Sequence, residues 1–310
     1  MRKSLTLLFI IAICSACKKS PDINADMLGG GTVFDPATYQ PEKYLLSVYN
    51  PTPTAIEAQK PVVIACHGYS ASTFEWDEFK EWSKNRTDYY ISQVLLNGHG
   101  RTYDDFKKST WHDWQSSITE EYNKLVKAGY KKINFATSST SCTLILDMLS
   151  NGFFNNAGIT TQIFLIDPII IPSEKNLSLI GIFGPLLGYL EADNTTAEDK
   201  YYYHYRPQET LQQLQELLTK VRKELEGGII LSPNITLKVY KSKQDPTADP
   251  VSAVLIYNGI KTSQGNSIDL QMVDSKLHVF TRLALRSDIT ALDRSNQTNT
   301  FTEITTRILR

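Results

Sequence analysis

The stretch INFATSSTSCTL, residues 133–144, carries the pattern that decides the fold. Ile133 and Phe135 alternate with other residues as in a strand, and Leu144 begins a helical spacing of apolar residues. Between them lies a run of serine and threonine that leaves room only for a tight turn. The stretch therefore predicts a strand that passes directly into a helix through small hydroxyl residues. Taken alone, serines before a helix are typical of a helix cap.

Similar strands recur on both sides of this stretch. Apolar runs typical of strands buried on both faces occur at residues 61–66, 91–96, 132–136, 162–166 and 235–239. Helical spacing fills intervals between them, for example over residues 114–125 and 144–149. This alternation predicts an α/β fold, with a mostly parallel sheet and helices on both faces. Ligands bind such sheets at the carboxyl ends of the strands.

The alternation stops between about residues 172 and 226, where the sequence predicts no strand. Residues 179–190 are apolar nearly all round, and leucines at helical spacing follow over residues 211–225. The apolar segment is too short to cross a membrane, so it must be covered or line an apolar cavity. We expect a helical lid over an acyl pocket, with an ordinary core helix as the alternative.

Ser139 is the candidate nucleophile at the turn, because it alone keeps the strand in register and is followed at once by the helix. Ser138 and Ser141 are the alternatives. In a nucleophile elbow the residues two before and two after the serine must be small, and glycine usually fills both places. Here Thr137 and Ser141 fill them, so the sequence departs from G-x-S-x-G at each glycine.

A serine nucleophile needs a base to take its proton and a carboxylate to orient that base. Asp245 follows the predicted strand near residues 235–242, and His278 follows a short strand predicted at 268–273. The chain order of serine, acid and histidine is the order found in elbow-type hydrolases. Asp167 also follows a predicted strand and is the alternative acid.

Several separated motifs together resemble the α/β-hydrolase family, and within it the carboxylesterase and monoacylglycerol-lipase branch, over about residues 44–310. The motifs are His67-Gly68-Tyr69-Ser70, Asn97-Gly98-His99-Gly100-Arg101, Asp113-Trp114, Ser139-Thr140, Lys243-Gln244-Asp245 and Asp274-Ser275-Lys276-Leu277-His278. The resemblance implies an α/β-hydrolase fold with a helical lid and a triad of Ser139, Asp245 and His278. It also implies an oxyanion hole made by the backbone N–H groups of Tyr69 and Thr140.

The function that this resemblance implies is hydrolysis of carboxylic acyl esters through an acyl-enzyme, without a metal or other cofactor. The expected partner is a small-molecule ester with an apolar acid portion. One alternative is a catalytically silent lipoprotein of the same fold that binds a lipid or glycan fragment, because both elbow glycines are missing. The other alternative is a serine peptidase of the same fold.

The composition places the chain among soluble globular proteins. Of its 310 residues, 41% are hydrophobic and 21% are charged, which argues against collagen, coiled coils and disordered chains. Lysine and arginine number 32 against 33 acidic residues, so no nucleic-acid partner is expected. Cys66 and Cys142 match no zinc spacing, and we expect two buried free thiols, with a disulfide between them as the alternative.

The N-terminus has the layout of an export signal. Arg2 and Lys3 precede an apolar run over residues 5–13, which is too short to span a bilayer. Cys14-Ser15-Ala16-Cys17 then resembles a lipoprotein cleavage site, although Cys14 stands where leucine is usual. We expect an exported protein held at a periplasmic or cell-surface membrane by lipidated Cys17, with ordinary secretion as the alternative. The predicted parts are a signal over 1–16, a tether over 17–42 and the hydrolase domain over 43–310.

Overall fold

The computed structural model describes residues 49–173 and 188–310. The helices within these ranges are α1 (Asp77–Ser83), α2 (Tyr103–Lys108), α3 (Trp111–Ala128), α4 (Thr140–Ser150), α5 (Gln208–Gly227), α6 (Val251–Gly259) and α7 (Ala291–Ile308). The strands are β1 (Val62–Cys66), β2 (Tyr90–Val94), β3 (Ile133–Ser138), β4 (Thr161–Ile166), β5 (Tyr189–Glu191), β6 (Tyr205–Pro207), β7 (Ile229–Ile230), β8 (Ile235–Ser242), β9 (Ile260–Lys261) and β10 (Asp269–Val273).

One parallel sheet forms the centre of the described chain. Its strand order is β10-β8-β4-β3-β1-β2, and every neighbouring pair is parallel. The predicted α/β architecture is therefore confirmed. Because all six strands run the same way, the ends of β3, β8 and β10 lie along one edge of the sheet, where the candidate site residues follow them.

Helices cover both faces of this sheet. Alternate residues of β1 point to opposite sides: Ile64 joins a large apolar cluster with α3 to α6, whereas Val63 joins a smaller cluster with α1 and α7. In the smaller cluster, Phe79 packs against Phe301 with ring centroids 5.0 Å apart. Every residue of β1 and β3 is buried, which explains why β1 is a continuous apolar run.

Local signals fix the ends of α3. Thr110 and Asp113 form a capping box at its start, with each side chain accepting the other's backbone N–H. The helix ends before Gly129, whose φ of 99° is the left-handed conformation that glycine adopts at low cost. The helix therefore begins and ends close to the residues that the sequence indicates.

The interval between β4 and β8 differs in part from the sequence prediction. Most of the apolar segment predicted at 179–190 lies outside the described residues. The expectation of no strand is wrong, because β5 and β6 form a short antiparallel pair in which Tyr189 and Tyr205 pack edge to face at 5.3 Å. Strands of three residues are too short to show an alternating pattern. The predicted leucine stripe does form α5, with its apolar side chains buried.

The predicted signal, Cys17 and the tether lie outside the described residues. Within residues 49–173 and 188–310, no helix is both long and apolar enough to cross a membrane. Cys66 and Cys142 are buried free thiols, as expected.

Candidate active site

The turn between β3 and α4 is sharp and strained. Ser139 is the single residue between them, with φ of 52° and ψ of −116°. A residue with a side chain seldom adopts a positive φ, and such strain is often found at functional sites. Only 7% of Ser139 is exposed, and its hydroxyl faces a cavity at the carboxyl edge of the sheet. The predicted strand–turn–helix unit therefore has the shape of a nucleophile elbow.

The two hydroxyl residues that replace the elbow glycines fit the turn. Thr137 Oγ1 donates to the carbonyl of Phe164 at 3.3 Å, and Ser141 Oγ donates to the carbonyl of Cys66 at 2.8 Å. Both side chains are fully buried, and these hydrogen bonds satisfy their polar atoms. The absence of both glycines therefore does not prevent the elbow from forming.

A glycine on a neighbouring loop, Gly68, lets the backbone of that loop approach Ser139 closely. A Cβ added to Gly68 would lie 3.0 Å from Ser139 Cβ and 3.5 Å from Ser139 Oγ. The 3.0 Å distance between the two Cβ atoms is tighter than nine in ten real Cβ contacts, so a side chain at residue 68 would push against the nucleophile.

Three predicted residues meet at the elbow. His278 Nε2 lies 2.8 Å from Ser139 Oγ, and His278 Nδ1 lies 2.9 Å from Asp245 Oδ2. The Asp245 carboxylate accepts the Nδ1–H, which leaves the Nε2 lone pair to accept the serine proton. This is the line of nucleophile, base and acid that acyl transfer requires.

The alternative residues are engaged elsewhere. Ser138 Oγ lies 3.2 Å from the carbonyl of Cys66 and also contacts Glu75, while Ser141 bonds to backbone groups. Asp167 hydrogen-bonds the backbone N–H groups of Ser242 (2.7 Å) and Phe280 (3.1 Å), and has no hydrogen bond to His278. Among the described residues, only Ser139 and Asp245 hydrogen-bond the side chain of His278.

The environment of Asp245 keeps it ionised. Its Oδ1 accepts the backbone N–H groups of Thr247 (2.8 Å) and Ala248 (3.0 Å). Burial raises the pKa of this carboxyl, but the charges and hydrogen bonds of His278 and Lys241 outweigh burial and lower the pKa to about 2. The acid of the site is therefore a carboxylate at neutral pH.

Lys241 is a residue that the sequence analysis missed. Its side chain is fully buried, and its ammonium contacts Asp245 Oδ2 and lies 3.6 Å from Asp167 Oδ1. Ligand atoms of Asp167, Asp245 and His278 lie within 4.8 Å of one another, a spacing compatible with a metal ion. A cation, the lysine, already contacts both carboxylates. The sequence offers no signal that separates Lys241 from Lys238 in the same strand.

The predicted oxyanion donors border the same cavity as Ser139. No backbone hydrogen bond within the described chain uses the N–H of Tyr69 or Thr140. The N–H of Gly68, in contrast, donates to Glu75 Oε1 at 3.0 Å. Tyr69 Oη lies 2.7 Å from Thr210 Oγ1, which ties the oxyanion turn to α5. The arrangement leaves the two predicted N–H groups free to hold a developing oxyanion.

His67 supports this turn without taking part in the triad. It is fully buried, donates from Nδ1 to the carbonyl of Gly68 at 2.8 Å, and accepts the N–H of Leu96 at Nε2 at 3.1 Å. Burial lowers the pKa of His67 to about 4, so the ring is neutral and fixed in one tautomer.

The cavity in front of Ser139 has a volume of about 320 Å³ and is less apolar than the sequence suggested. Ile169, Leu211 and Leu214 line part of it. Charged side chains line much of the rest: Glu75, Asp193, Glu198, Arg206, Lys276, Arg282 and Arg286. The described part of the cavity lining therefore combines apolar and charged side chains.

No protein-family model matches the chain. A carboxylesterase of Bacillus subtilis (strain 168) is 23% identical over 244 residues, which cover 76% of this chain and 92% of the relative. A thermostable monoacylglycerol lipase of Bacillus sp. (strain H-257) is 25% identical over 213 residues, covering 67% of this chain and 80% of the relative.

Solved structures show the same fold. One, from the metagenome-derived lipolytic enzymes LipS and LipT, has a TM-score of 0.64 and 18% identity, and covers 81% of this chain and 94% of its own. A soluble variant of the Saccharomyces cerevisiae monoglyceride lipase has a TM-score of 0.63 and 11% identity, and the match covers 81% of this chain and 86% of the lipase chain. The chain has the α/β-hydrolase fold, and its sequence is similar to enzymes of the carboxylesterase and monoacylglycerol-lipase type.

Proposed function

We propose that the chain is a serine hydrolase that cleaves carboxylic esters through an acyl-enzyme on Ser139. The observation that carries this proposal is the continuous hydrogen-bonded line from Ser139 through His278 to Asp245, with steps of 2.8 and 2.9 Å. The two similar bacterial proteins are named as a carboxylesterase and a monoacylglycerol lipase, which supports esters over amides as substrates.

Acylation follows from this geometry. Ser139 Oγ attacks the ester carbonyl carbon while its proton passes to His278 Nε2, and Asp245 stabilises the resulting imidazolium. The carbonyl oxygen becomes an oxyanion that accepts hydrogen bonds from the backbone N–H groups of Tyr69 and Thr140. When the intermediate collapses, the bond to the alcohol oxygen breaks and His278 returns the proton to that oxygen.

Deacylation repeats these steps with water as the nucleophile. His278 Nε2 takes a proton from water, the hydroxide attacks the acyl carbon, and the same two N–H groups hold the oxyanion. The bond to Ser139 Oγ then breaks, the proton returns to the serine, and the carboxylic acid leaves.

The test is labelling of the folded protein with a fluorophosphonate probe, followed by peptide mass spectrometry and assays with p-nitrophenyl esters of increasing chain length. We expect a single adduct on Ser139 and loss of turnover in Ser139→Ala. Ser287→Ala, which changes an exposed serine, is the matched control and keeps full activity. An adduct on Ser138 or Ser141, or no adduct on folded protein, contradicts the proposal. Faster cleavage of anilides than of matched esters indicates a peptidase.

We also propose that the enzyme is exported and tethered through lipidated Cys17. The support is the order of basic residues, a short apolar run and small residues directly before that cysteine. Expression in a bacterial host followed by membrane fractionation and intact-mass analysis tests this. We expect an acylated mature chain that begins at Cys17 and a shift to the soluble fraction in Cys17→Ser. An unmodified N-terminus at another residue contradicts the tether.

A further inference from the structure

Two arginines lie in the segment that follows the triad histidine. Arg282 and Arg286 both line the active-site cavity, and an Nη2–H of Arg286 donates to the backbone carbonyl of His278. Arg282 is 9% exposed, and its guanidinium also lies over the ring of Tyr202, 5.1 Å from the centroid. Two guanidinium groups are therefore held beside the base of the proposed reaction.

The charges of these two arginines are not balanced equally. Arg282 Nη1 donates to Glu198 Oε1 at 2.8 Å and to the carbonyl of Ala284 at 3.0 Å. Arg286 has no carboxylate within ion-pair distance in the described chain. An unpaired guanidinium in a cavity is the group that an incoming anion would neutralise.

Buried hydrogen-bond donors at the same place have no acceptor. Within the described residues, Arg286 Nη1, Arg282 Nε and the hydroxyl of Tyr202 are buried without a hydrogen-bond partner. Buried polar groups are nearly always hydrogen-bonded, so three unsatisfied groups on neighbouring side chains need an explanation. Oxygen atoms of a bound anion would supply the missing acceptors.

The electrostatics agree with this geometry. Burial and the nearby positive charge of Arg282 lower the pKa of Arg286 to about 10, which still leaves it protonated at neutral pH. The negative charges of Glu198 and Glu75 act on this pKa in the opposite direction, but no acidic residue of the described chain forms an ion pair with Arg286. Glu198 is paired with Arg282, Glu75 accepts the N–H of Gly68 and the hydroxyl of Ser138, and Asp193 is exposed.

We propose that Arg282 and Arg286 form an anion-binding subsite, and that the substrate is a small ester carrying a carboxylate or phosphate group. This inference rests on the proposed esterase function. A guanidinium fork matches the geometry of either anion, and the cavity of about 320 Å³ is at the small end for ligand pockets. A long, uncharged acyl chain would leave the buried guanidinium groups unsatisfied.

The first experiment compares charged and neutral esters of matched shape. One pair places the charge on the acid portion: 4-nitrophenyl hemisuccinate and its methyl ester. The other pair places it on the alcohol portion: 4-acetoxybenzoate and its methyl ester. For one of these pairs we expect the charged ester to have the higher kcat/KM. We expect Arg286→Gln to lower the ratio of kcat/KM for the charged ester to that for the neutral ester by about 10- to 100-fold, mostly because KM for the charged ester rises. In Arg286→Gln we expect a smaller loss of kcat/KM on the neutral esters than on the anion, whereas every rate is unchanged in the exposed control Arg294→Gln.

The second experiment measures binding without turnover. Succinate or inorganic phosphate is added to Ser139→Ala, and the shift in Tm is recorded. We expect one of them to raise Tm, and Arg286→Gln to abolish that shift. A response to succinate alone identifies a carboxylate, and a response to phosphate alone identifies a phosphate group.

The outcomes separate this inference from the proposed function. If the wild type is labelled at Ser139 and prefers neither carboxylate ester, and Ser139→Ala responds to neither succinate nor phosphate, the subsite is wrong and the esterase stands. An equal loss on charged and neutral esters in Arg286→Gln shows that the arginine only supports the His278 backbone, which also overturns the subsite. No labelling and no turnover of any ester overturns both proposals.

Discussion

The ammonium of Lys241 contacts the same carboxylate oxygen of Asp245 that accepts the Nδ1–H of His278. Asp167 Oδ1 lies 3.6 Å from the same ammonium. The triad acid therefore belongs to a buried group of two carboxylates and one lysine, all on strand ends or in the loops that follow them. A buried charge that loses its partner is strongly destabilising, so removing one charge of this group is expected to destabilise the fold.

The first prediction concerns Lys241→Met. Two buried carboxylates would then lie near each other without a cation, so the free energy of unfolding is expected to fall by about 3–5 kcal/mol. The pKa of Asp245 rises, and kcat/KM falls because the carboxylate oxygen that orients His278 loses the ammonium that holds it in place. Urea unfolding and kcat/KM measured as a function of pH check this.

Two further variants make the Lys241 prediction sharper. Lys243→Met changes an exposed lysine two residues away and should alter neither measurement. Adding Asp167→Asn to Lys241→Met removes one stranded carboxylate and should restore part of the lost stability. If Lys241→Met alone is as stable and as active as the wild type, the buried group has no role.

The second prediction concerns acid. The folded protein lowers the pKa of Asp245 from 3.8 to about 2, since the effects of His278 and Lys241 exceed that of burial. A lowered carboxyl pKa contributes stability above pH 4, here about 2 kcal/mol, and the contribution is lost as the pH falls through 2. Asp245→Asn should therefore have a lower free energy of unfolding than the wild type at pH 6. The difference in free energy of unfolding between the two proteins should be smaller at pH 3.

Urea unfolding of both proteins between pH 3 and pH 6 measures this gap. Asp288→Asn, at an exposed position, is the control and should follow the wild type throughout. Parallel curves for the wild type and Asp245→Asn would show that Asp245 does not contribute to the acid sensitivity.

Much of the fold follows from local sequence. The strands are predictable because both faces of a parallel sheet exclude water, so runs such as residues 62–66 contain apolar residues only. The triad candidates are predictable because each follows a strand and the three occur in the expected chain order. The α/β-hydrolase fold is confirmed by the sheet and by the solved structures of the same fold.

The polar neighbours of the triad are not predictable in this way. Lys238 and Lys241 look alike in the sequence, as occasional lysines in β8, yet Lys238 reaches partly exposed Asp269 whereas Lys241 meets two buried carboxylates. The difference depends on which strands flank β8, which is long-range information. Arg286 likewise looks like a surface residue until the loop after His278 directs it into the cavity.

The third prediction concerns Gly68→Ala. Its backbone needs no left-handed conformation, so the effect is steric: the new Cβ lies 3.0 Å from Ser139 Cβ and 3.5 Å from its Oγ. We expect kcat to fall by about 10- to 100-fold because the nucleophile is displaced from His278. Fluorophosphonate labelling should slow in parallel while stability changes little. Gly227→Ala, where a Cβ meets nothing within 4 Å, is the control; unchanged kcat in Gly68→Ala would show that the loop moves aside.

The last prediction restores one elbow glycine with Ser141→Gly. The Ser141 hydroxyl donates to the carbonyl of Cys66 at 2.8 Å and accepts the N–H of Ser138 at 3.0 Å, so its loss leaves a buried N–H unpaired. We expect the free energy of unfolding to fall by about 1–3 kcal/mol. The bond between Ser139 and His278 does not involve this hydroxyl, so kcat/KM should stay within about threefold of the wild type. Ser150→Gly, in the same helix, measures the cost of a helical glycine away from the elbow. A large loss of kcat/KM at unchanged stability would instead show that the Ser141 hydroxyl positions the nucleophile.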